Sequence, residues 1–406
     1  MSTPSIRLAR LLEPALPELT LELIAEVEEI VAAIRRLDGR VAGGLERVVR
    51  PTFRTAHTHH SLYIEDRPST LVELAKAVTA LPRKRTRDPE ADLRSSIALL
   101  EWLHEGDGRA RAIAAPSDPA LLTELHERFY SRLPAEERLL RVEDSGREVD
   151  VGPGHWRAER VRVGTHWAPS AADLDAIVSR WGERFDPKRF GSVAERLLAT
   201  IASHHRLLFV HPFRDGNGRV ARFALDAALI ASGLDAKGSW TPARGFARSR
   251  RAYYDALAAA DADRRNASDG RGDRSAEGLL RWCRFVLGVI RDQVAFTAAL
   301  LEPALLRARV RAAVAAAVGG RSSTSEHAGR LVLSAWEHGP LTRAEIVRES
   351  AVPERSARRL LSELVALGWV REVAGEDKRS SPLIGALPLT AAPTVFPNLF
   401  LPDAAG

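Results

Sequence analysis

Apolar residues recur every three or four positions over much of the chain, which is the spacing of an amphipathic helix. Thr70 and Glu73 have the spacing of a capping box that opens a helix ending near residue 81. The clearest apolar stripe consists of Leu21, Ile24, Val27, Val31, Ile34 and Leu37. The same periodicity predicts helices over residues 93–104, 121–133, 171–185, 192–209, 218–232, 250–260 and 277–296. The pattern therefore predicts a mainly α fold.

One segment, residues 147–169, departs from the helical spacing. Its apolar residues stand among glycines, a texture that favours a short β-hairpin or an extended flap. They are Val149, Val151, Trp156, Val161 and Val163.

The chain from about residue 326 predicts helix, helix, turn, helix and then an extended pair, and it resembles a winged helix-turn-helix. Thr342 and Glu345 have capping-box spacing, and Pro353 stands where the last helix would begin. The extended pair surrounds residues 375–379. Residues 315–325, which include two glycines and several serines, are interpreted as a flexible joint before this module.

The last helix of this module would expose three arginines, Arg355, Arg358 and Arg359. Contact with DNA phosphates is one interpretation, because such a helix can enter a major groove. Acidic residues such as Glu354 dilute the positive charge, so a dimerisation surface, giving a homodimer, or a target-docking domain is the alternative.

Composition narrows the class of protein. The chain has 406 residues, of which 45% are hydrophobic and 28% charged, so it has the makeup of a globular protein of two or three domains. A single cysteine, Cys283, excludes a disulfide framework and a thiolate metal cluster. No apolar run approaches the roughly 20 residues of a membrane span, and the N-terminus lacks the apolar core of a signal peptide. We expect a cytoplasmic protein without a membrane segment.

Charge adds a weaker indication. The formal net charge is +6, and only five of the 59 basic residues are lysine. A GC-rich genome explains such an excess of arginine, but guanidinium groups also suit phosphate or nucleic-acid contacts. Composition alone does not choose between these explanations.

The stretch from His211 to Arg222 carries the candidate chemistry. Gly216, Asn217 and Gly218 stand where a helix begins, so backbone N–H groups there can bind an anion. Arg219 and Arg222 lie three residues apart and share a face of that helix.

Two further residues of this stretch complete the pattern. Asp215 offers a hard oxygen ligand for Mg²⁺ that bridges phosphates, and His211 has the ordinary pKa of a general base. A glycine-rich loop with a core histidine and surface arginines is the alternative, but eight positions coincide here.

These residues resemble the Fic family signature, His-x-Phe-x-Asp/Glu-Gly-Asn-Gly-Arg-x-x-Arg, at every fixed position. The resemblance implies a helical core that transfers AMP from ATP to a hydroxyl side chain of a target protein, and family members often modify themselves. It implies that His211 deprotonates the hydroxyl and that Asp215 holds Mg²⁺ against the α- and β-phosphates. It also implies that Asn217 and the amides of Gly216 and Gly218 hold phosphate oxygens. Relatives that phosphorylate have lysine in place of the second glycine, Gly218.

The resemblance assigns roles to arginines and to residues outside the signature. Arg219 and Arg222 would bind the outer phosphates, with Arg222 at the γ-phosphate. Tyr253 and Tyr254 resemble the segment that lines the adenine pocket, although helix packing explains them equally well. His204 and His205 are more simply interpreted as packed or capping residues than as catalytic ones.

The flap also has a counterpart in the family. A hairpin upstream of the signature pairs with the backbone of the target protein and presents its hydroxyl. Trp156, Val161 and Val163 are the matching candidates in this chain. An ordinary surface hairpin is the alternative.

Ser61 to Asp66 resembles the family's inhibitory motif, Ser/Thr-x-x-x-Glu-Gly/Asn, which lies on a helix. The resemblance implies that Glu65 pairs with Arg222 and so occupies the site that the γ-phosphate needs. Asp66 departs from the usual Gly or Asn, which leaves the end of the helix open. In some relatives the same glutamate supports removal of AMP. The alternative to an inhibitory role is that Glu65 is simply a solvated glutamate at the end of a helix.

The sequence therefore predicts three regions: an N-terminal helical region (1–115) with the inhibitory motif, a Fic catalytic core (116–314) and a winged helix-turn-helix (315–406). The leading hypothesis is an autoinhibited protein adenylyltransferase that uses ATP and Mg²⁺ and modifies a Ser, Thr or Tyr hydroxyl. One alternative is a DNA-binding regulator whose core senses a nucleotide. Another is a de-adenylylase or a different nucleotidyl transferase.

Overall fold

The architecture comes from a computed structural model, which describes residues 10–41, 43–79, 90–141, 146–164, 166–319, 322–373 and 381–400. The helices of the N-terminal half are α1 (Leu21–Arg40), α2 (Gly44–Ile64), α3 (Leu71–Thr79), α4 (Ala91–His104), α5 (Gly106–Ala114), α6 (Pro119–Tyr130), α7 (Leu174–Arg184) and α8 (Val193–Val210). The later helices are α9 (Asn217–Ala231), α10 (Pro242–Arg248), α11 (Arg250–Asp261), α12 (Ala276–Leu300), α13 (Pro303–Val318), α14 (Ser322–His338), α15 (Arg343–Ser350), α16 (Glu354–Ala366) and α17 (Ala392–Val395). The prediction of a mainly α fold is confirmed.

Helix α1 shows how the apolar spacing becomes packing. The Thr20 hydroxyl accepts a hydrogen bond from the Leu23 N–H and so caps the helix start. The residues buried along α1 lie on one stripe: Leu23, Val27, Ile30, Val31, Ile34 and Leu37. This stripe faces α12 and α8 in the common core.

Helix α2 lies within the protein rather than on its surface. Nearly every residue from Thr52 to Ile64 is buried, including polar ones such as Arg54 and His57. The helix ends at Glu65, and Asp66 then adopts the left-handed conformation with φ 57°. Gly or Asn is common at such a position, because the left-handed region costs them little.

Helices α8 and α9 frame the predicted functional loop. A capping box of Ser192 and Glu195 opens α8, with both reciprocal bonds present. His211 ends α8 in the left-handed conformation, and Asn217 is the first residue of α9. The two helices pack against each other, so the loop between them is held at both ends.

The predicted flap consists of two short antiparallel hairpins. Strands β1 (Leu139–Arg141) and β2 (Glu148–Asp150) form the first, with Leu140 opposite Val149. Strands β3 (Arg162–Val163) and β4 (His166–Trp167) form the second, with Val163 opposite His166.

The C-terminal region has the predicted element order. Helices α14, α15 and α16 are followed by an antiparallel pair, β5 (Val370–Glu372) and β6 (Leu383–Gly385). The reciprocal capping box of Thr342 and Glu345 is present at the start of α15. The predicted turn of the extended pair, residues 375–379, lies outside the described residues.

The flexible joint predicted over residues 315–325 is wrong where the structure describes it. Helix α13 continues through Val318, and α14 already begins at Ser322. The two helices pack closely against each other, and α14 also packs against α2. Apolar burial along these helices outweighs the local preference of serine and glycine for irregular structure.

The last described residues of the chain contact α2. The His60 Nε2 atom lies 2.8 Å from the Leu399 carbonyl oxygen. The Arg244 guanidinium, from α10, donates to the Asn398 carbonyl at 2.9 Å and 3.1 Å. The C-terminal segment therefore helps to hold the helix that ends at Glu65.

Candidate active site

The loop between α8 and α9 is closed by Asn217. Its Oδ1 atom accepts from the Phe213 N–H, and its Nδ2 atom donates to the Phe213 carbonyl, both at 2.8 Å. The side chain is buried, and both of its polar atoms take part in shaping the loop. The backbone N–H of Asn217, at the start of α9, is a second group that could contact a phosphate.

Gly216 is required by the same loop. Its φ is 77°, in the left-handed region, and a Cβ placed there would lie 2.7 Å from the Tyr130 ring and hydroxyl. The close approach of Tyr130 brings α6 against the loop, a contact that the sequence did not reveal.

His211 is positioned as a neutral imidazole. Its Nδ1 atom lies 3.4 Å from the Leu208 carbonyl oxygen, so a proton on Nδ1 leaves the Nε2 lone pair available. Burial lowers the pKa of His211 to about 4, which keeps the ring unprotonated at neutral pH. An imidazole in this state can accept a proton from a hydroxyl group.

Arg157 fixes the backbone around His211. Its side-chain Nε atom donates to the His211 carbonyl at 2.7 Å, and its backbone N–H donates to the Pro212 carbonyl at 2.9 Å. The guanidinium also donates to the Pro169 carbonyl at 2.6 Å, and the residue is only 2% exposed. Arg157 thereby joins the flap to the catalytic loop.

Asp215 belongs to a compact polar network. The Tyr130 hydroxyl donates to Asp215 Oδ2 at 2.5 Å, and Arg219 Nη2 donates to the same oxygen at 2.9 Å. Arg219 also donates to the Tyr130 hydroxyl at 2.7 Å. Burial opposes ionisation of Asp215, but the nearby Arg219 guanidinium prevails and lowers its pKa below the ordinary value.

His126 supports this network from α6. The Gly154 N–H donates to His126 Nδ1 at 2.9 Å, so Nε2 carries the proton and points to the Asp215 carbonyl, 3.2 Å away. The imidazole stacks on Phe213 with ring centroids 4.0 Å apart. Tyr130, His126 and Arg157 are the residues of this site to which sequence reasoning gave no role.

The site offers one carboxylate to a divalent cation. Among the described residues, no group of three or more His, Cys, Asp or Glu side chains is arranged to hold a metal ion. Mg²⁺ usually binds one or two carboxylates and takes its other ligands from water and substrate phosphates. Asp215 therefore fits an Mg²⁺ ion that arrives with a nucleotide, and it does not make a metal site by itself.

Arg222 is bound to the end of α2. Its Nη2 atom donates to Glu65 Oε1 at 2.6 Å, and its Nε atom donates to the Ser61 hydroxyl at 2.8 Å. The Ser61 carbonyl accepts a third bond at 3.1 Å, and Arg222 is only 2% exposed. Burial opposes ionisation of Glu65, but the contact with Arg222 keeps its pKa below the ordinary value. The predicted pairing of Glu65 and Arg222 is thus present as an ionic contact.

Gly218 leaves the space that Glu65 fills. A Cβ at Gly218 would lie 2.3 Å from Glu65 Oε1, well inside van der Waals contact. The Glu65 carboxylate therefore lies directly against the first turn of α9, where the backbone N–H groups favour an anion.

The unusual Asp66 has its own partner. Its carboxylate pairs with the Arg250 guanidinium, with one bond at 2.6 Å. The extra carboxylate is therefore neutralised beside the site, and the helix, whose end the sequence left open, stops at Ile64 with Glu65 as its C-cap.

Of the two predicted adenine-pocket tyrosines, Tyr253 lies in the core and Tyr254 is partly exposed at the surface. Tyr253 is 1% exposed, and its hydroxyl lies 3.1 Å from His204 Nε2. Tyr254 is 44% exposed and donates to the Ile64 carbonyl at 3.1 Å, so it contacts the end of α2. His204 and His205 are both buried, and each has polar partners in the interior.

The flap residues also divide. Trp156 packs on Phe213 with ring centroids 4.8 Å apart and is partly buried, so it supports the loop. The Val161 carbonyl accepts from the Ala168 N–H at 3.1 Å. Val163 and Trp167, on β3 and β4, remain 42% and 51% exposed.

The three arginines of the C-terminal module are not part of this site. Arg355, Arg358 and Arg359 are exposed on α16, and Arg358 pairs with Glu354 on the same helix. The structure thus brings the loop, α9 and the end of α2 together and leaves α16 apart.

Comparison with known proteins agrees with this geometry. Residues 116–229, from the turn before α6 to the last turns of α9, match the Fic/DOC family. The chain therefore contains a Fic domain. The match includes the whole signature and the flap but not the inhibitory motif or the C-terminal module of this chain.

Curated relatives carry the name "Protein adenylyltransferase Fic". The relative from Culex quinquefasciatus is 23% identical over 245 residues, which are 59% of this chain and 42% of that protein. The relative from Drosophila melanogaster is 32% identical over 80 residues, 20% of this chain and 16% of that protein. The matched part of this chain thus spans less than half the length of these relatives.

A solved structure of a Fic family protein from Desulfovibrio desulfuricans G20 aligns with a TM-score of 0.47 and 19% identity. The alignment covers 91% of this chain and 97% of that one. No helix in the described part of the chain has the length and apolar character of a membrane crossing.

Proposed function

We propose that this Fic protein is a protein adenylyltransferase that transfers AMP from ATP to a Ser, Thr or Tyr hydroxyl of a target protein, or of itself. One observation carries the proposal: a neutral, half-buried imidazole at His211 lies beside a helix start that bears Arg219 and Arg222. Binding a nucleotide requires only the cationic groups, whereas His211 adds a base that binding alone does not need.

In the proposed reaction, His211 Nε2 takes the proton from the target hydroxyl. The hydroxyl oxygen then forms a bond to the α-phosphorus, and the bond between that phosphorus and the α–β bridging oxygen breaks. Pyrophosphate leaves with the bonding electron pair. The first N–H groups of α9, at Asn217 and Gly218, face the charge that develops on the phosphate.

The other residues act through binding and orientation. Arg219 and Arg222 would hold the outer phosphates, and Arg157 keeps the backbone of His211 in position. When bound, Mg²⁺ supplies neutralisation of phosphate charge and would be held by Asp215 together with phosphate oxygens. Tyr253 is buried, which favours Tyr254 for any contact with the adenine.

The same proposal includes autoinhibition by α2. Glu65 occupies Arg222 and the space beside Gly218, so ATP cannot place its γ-phosphate on that guanidinium while the contact lasts. Ser61 strengthens the contact from the preceding turn. The protein is therefore expected to be nearly inactive until α2 moves or Glu65 is removed.

Intact-mass spectrometry tests both parts. Purified Glu65→Gly protein with ATP and Mg²⁺ should gain the mass of one or more AMP groups by self-modification or on an added substrate protein. The wild type should label far more slowly, and addition of His211→Ala to Glu65→Gly should abolish labelling. Asp66→Gly is the matched control: it removes the neighbouring carboxylate, retains the Arg222 contact and should stay as slow as the wild type. Equal labelling of the wild type and Glu65→Gly would disprove the inhibitory role.

For target binding we propose the edge formed by β3 and β4. Val163 and Trp167 are exposed there, and an extended segment of a target could pair with this edge as an added strand. Val163→Asp should then reduce modification of a target without changing self-modification elsewhere on the chain.

The C-terminal module is proposed to be a winged helix-turn-helix. The exposure of Arg355, Arg358 and Arg359 on α16 favours contact with DNA phosphates. A gel-shift assay at low salt checks this: a shift that weakens with salt and with Arg355→Ala plus Arg359→Ala supports it. Absence of a shift favours a homodimer or target-docking role instead.

A further inference from the structure

A cavity lies beside the N-terminal half of α2, more than one helical turn before the contacts with Arg222. It has a volume of about 540 Å³ and is bounded by α2, α4 and the sheet of β5 and β6. We call it the arginine pocket, because Arg47, Arg50 and Arg54 of α2 and Arg371 of β5 line it. Its size lies within the range of small-molecule sites.

Two of these arginines are anchored by carboxylates. Arg50 pairs with Glu46, and Arg54 Nη1 lies 2.5 Å from Glu105 Oε1. Arg54 is only 6% exposed, and its Nε atom has no hydrogen-bond partner within the described ranges. A buried guanidinium N–H without a partner is costly, so a ligand oxygen that reached it after a small shift of the side chain would relieve this cost.

The other two arginines keep their charge available. Within the described ranges, no ion pair involves Arg47 or Arg371, and both side chains are exposed at the mouth of the pocket. Arg47 lies against Gly339 of the C-terminal region, where a Cβ would approach its Nη1 atom to 2.6 Å. Glu101 is the remaining carboxylate on the wall.

The cations of the pocket are crowded. Burial lowers the pKa of Arg50, and the neighbouring Arg109 and Arg54 lower it further, against the opposing effect of Glu105. An added anion would relieve this repulsion, because it would face four guanidinium groups of which two lack carboxylate partners.

We propose that the arginine pocket binds a small phosphate-bearing anion. Phosphate matches the planar, two-pronged donor geometry of guanidinium groups, and the pocket supplies these groups from two separate parts of the chain. The ligand would contact Arg47, Arg50 and Arg54 on one side and Arg371 on the other. It would therefore connect α2 to the C-terminal sheet.

This connection has a consequence for α2. A ligand that binds only when α2 and β5 are both in place stabilises that arrangement by mass action. Because α2 ends at the Ser61 and Glu65 contacts with Arg222, an occupied pocket favours the blocked site. This consequence rests on the proposed function, whereas binding itself does not.

Calorimetric titration of the full-length protein with inorganic tripolyphosphate tests the binding. We expect one site, and a dissociation constant at least about tenfold larger for Arg47→Ala plus Arg371→Ala. The matched control is Arg35→Ala plus Arg36→Ala, which removes the same charge from exposed positions on α1 and should change the constant by less than about twofold. Replacement of Arg47 and Arg371 by lysine should give an intermediate constant. The pocket variants lie at exposed positions, and circular dichroism checks that they fold.

Hydrogen exchange identifies where the probe binds. Protection is expected over residues 44–56, 370–373 and 383–385, and it should extend along α2 to residues 57–64. Three results would overturn the proposal: no heat of binding at millimolar probe, equal weakening in the α1 control, or protection confined to residues 215–222. Failure of AMP transfer by Glu65→Gly would refute the proposed function but would not affect the conclusion that the arginine pocket binds the probe.

Discussion

Ser61→Ala perturbs the inhibitory contact without touching Glu65. The substitution removes the hydroxyl that accepts from Arg222 Nε at 2.8 Å and leaves the Glu65 and Ser61 carbonyl bonds to Nη2. Arg222 is 2% exposed, so the freed N–H has little access to water. A hydrogen bond to a charged group contributes about 1.5–3 kcal/mol, which shifts the equilibrium toward the open site by roughly 10- to 150-fold.

The assay is the initial rate of AMP incorporation, measured by intact mass or with labelled ATP. While the blocked state predominates, the rate should rise with the open population, up to the rate of Glu65→Gly. Thr52→Ala is the matched control, because the Thr52 hydroxyl on the same helix donates to the Val48 carbonyl and has no other partner in the described part of the chain. It should leave the rate unchanged.

The double variant Ser61→Ala plus Glu65→Gly tests whether Ser61 acts through the inhibitory contact. In a Glu65→Gly background the α2 contact is already lost, so Ser61→Ala should add nothing to the rate. If Ser61→Ala alone stays as slow as the wild type, the Ser61 bond does not stabilise the blocked state. If it accelerates both backgrounds equally, Ser61 acts on catalysis and not on inhibition.

Three further outcomes are expected. In Glu65→Gly, the rate should be independent of pH near neutrality and should fall only as the pH drops toward about 4. The reason is that His211 acts as a base in its neutral form and that its pKa is lowered to about 4. An inflection near the ordinary pKa of histidine would contradict this. Arg157→Ala should lower the unfolding free energy by on the order of 3 kcal/mol, seen as a lower melting temperature, since several buried carbonyls lose their donor. Asp215→Asn in the Glu65→Gly background should raise the Mg²⁺ concentration for half-maximal rate, and EDTA should stop the reaction; an unchanged Mg²⁺ requirement would exclude Asp215 as the ligand.

The helices and the catalytic loop could be predicted because their signals are local. The apolar stripe of α1 and the capping residues Ser192 and Thr342 each determine structure within a few positions. The loop residues from His211 to Arg222 lie within a single stretch, so their meeting required no knowledge of the tertiary fold. The Glu65 contact was accessible only through resemblance, since 157 residues separate it from Arg222.

The supporting residues could not be predicted, because their role depends on packing. Tyr130 and Asp215 are 85 residues apart, and Arg157 reaches the His211 carbonyl across 54 residues. Nothing in the sequence near Arg157 distinguishes it from the many exposed arginines. Its burial in the structure, at 2% exposure, is what reveals its function.

Two predicted site residues also make contacts that the sequence did not indicate. The side chain of Asn217 bonds to the Phe213 backbone, because a loop between two helices must satisfy its own buried polar groups. Trp156 is partly buried and packs on Phe213, because a large aromatic ring gains from contact with a hydrophobic core.

Gly218 belongs both to the proposed phosphate site and to the proposed inhibitory contact with Glu65. A first side-chain carbon at this position would come within 2.3 Å of Glu65 Oε1, so even alanine would push the carboxylate away. Under the proposed function, a substitution at Gly218 would therefore disturb nucleotide binding and weaken the inhibitory contact at the same time. Selection could not adjust one of these properties at this position and leave the other unchanged.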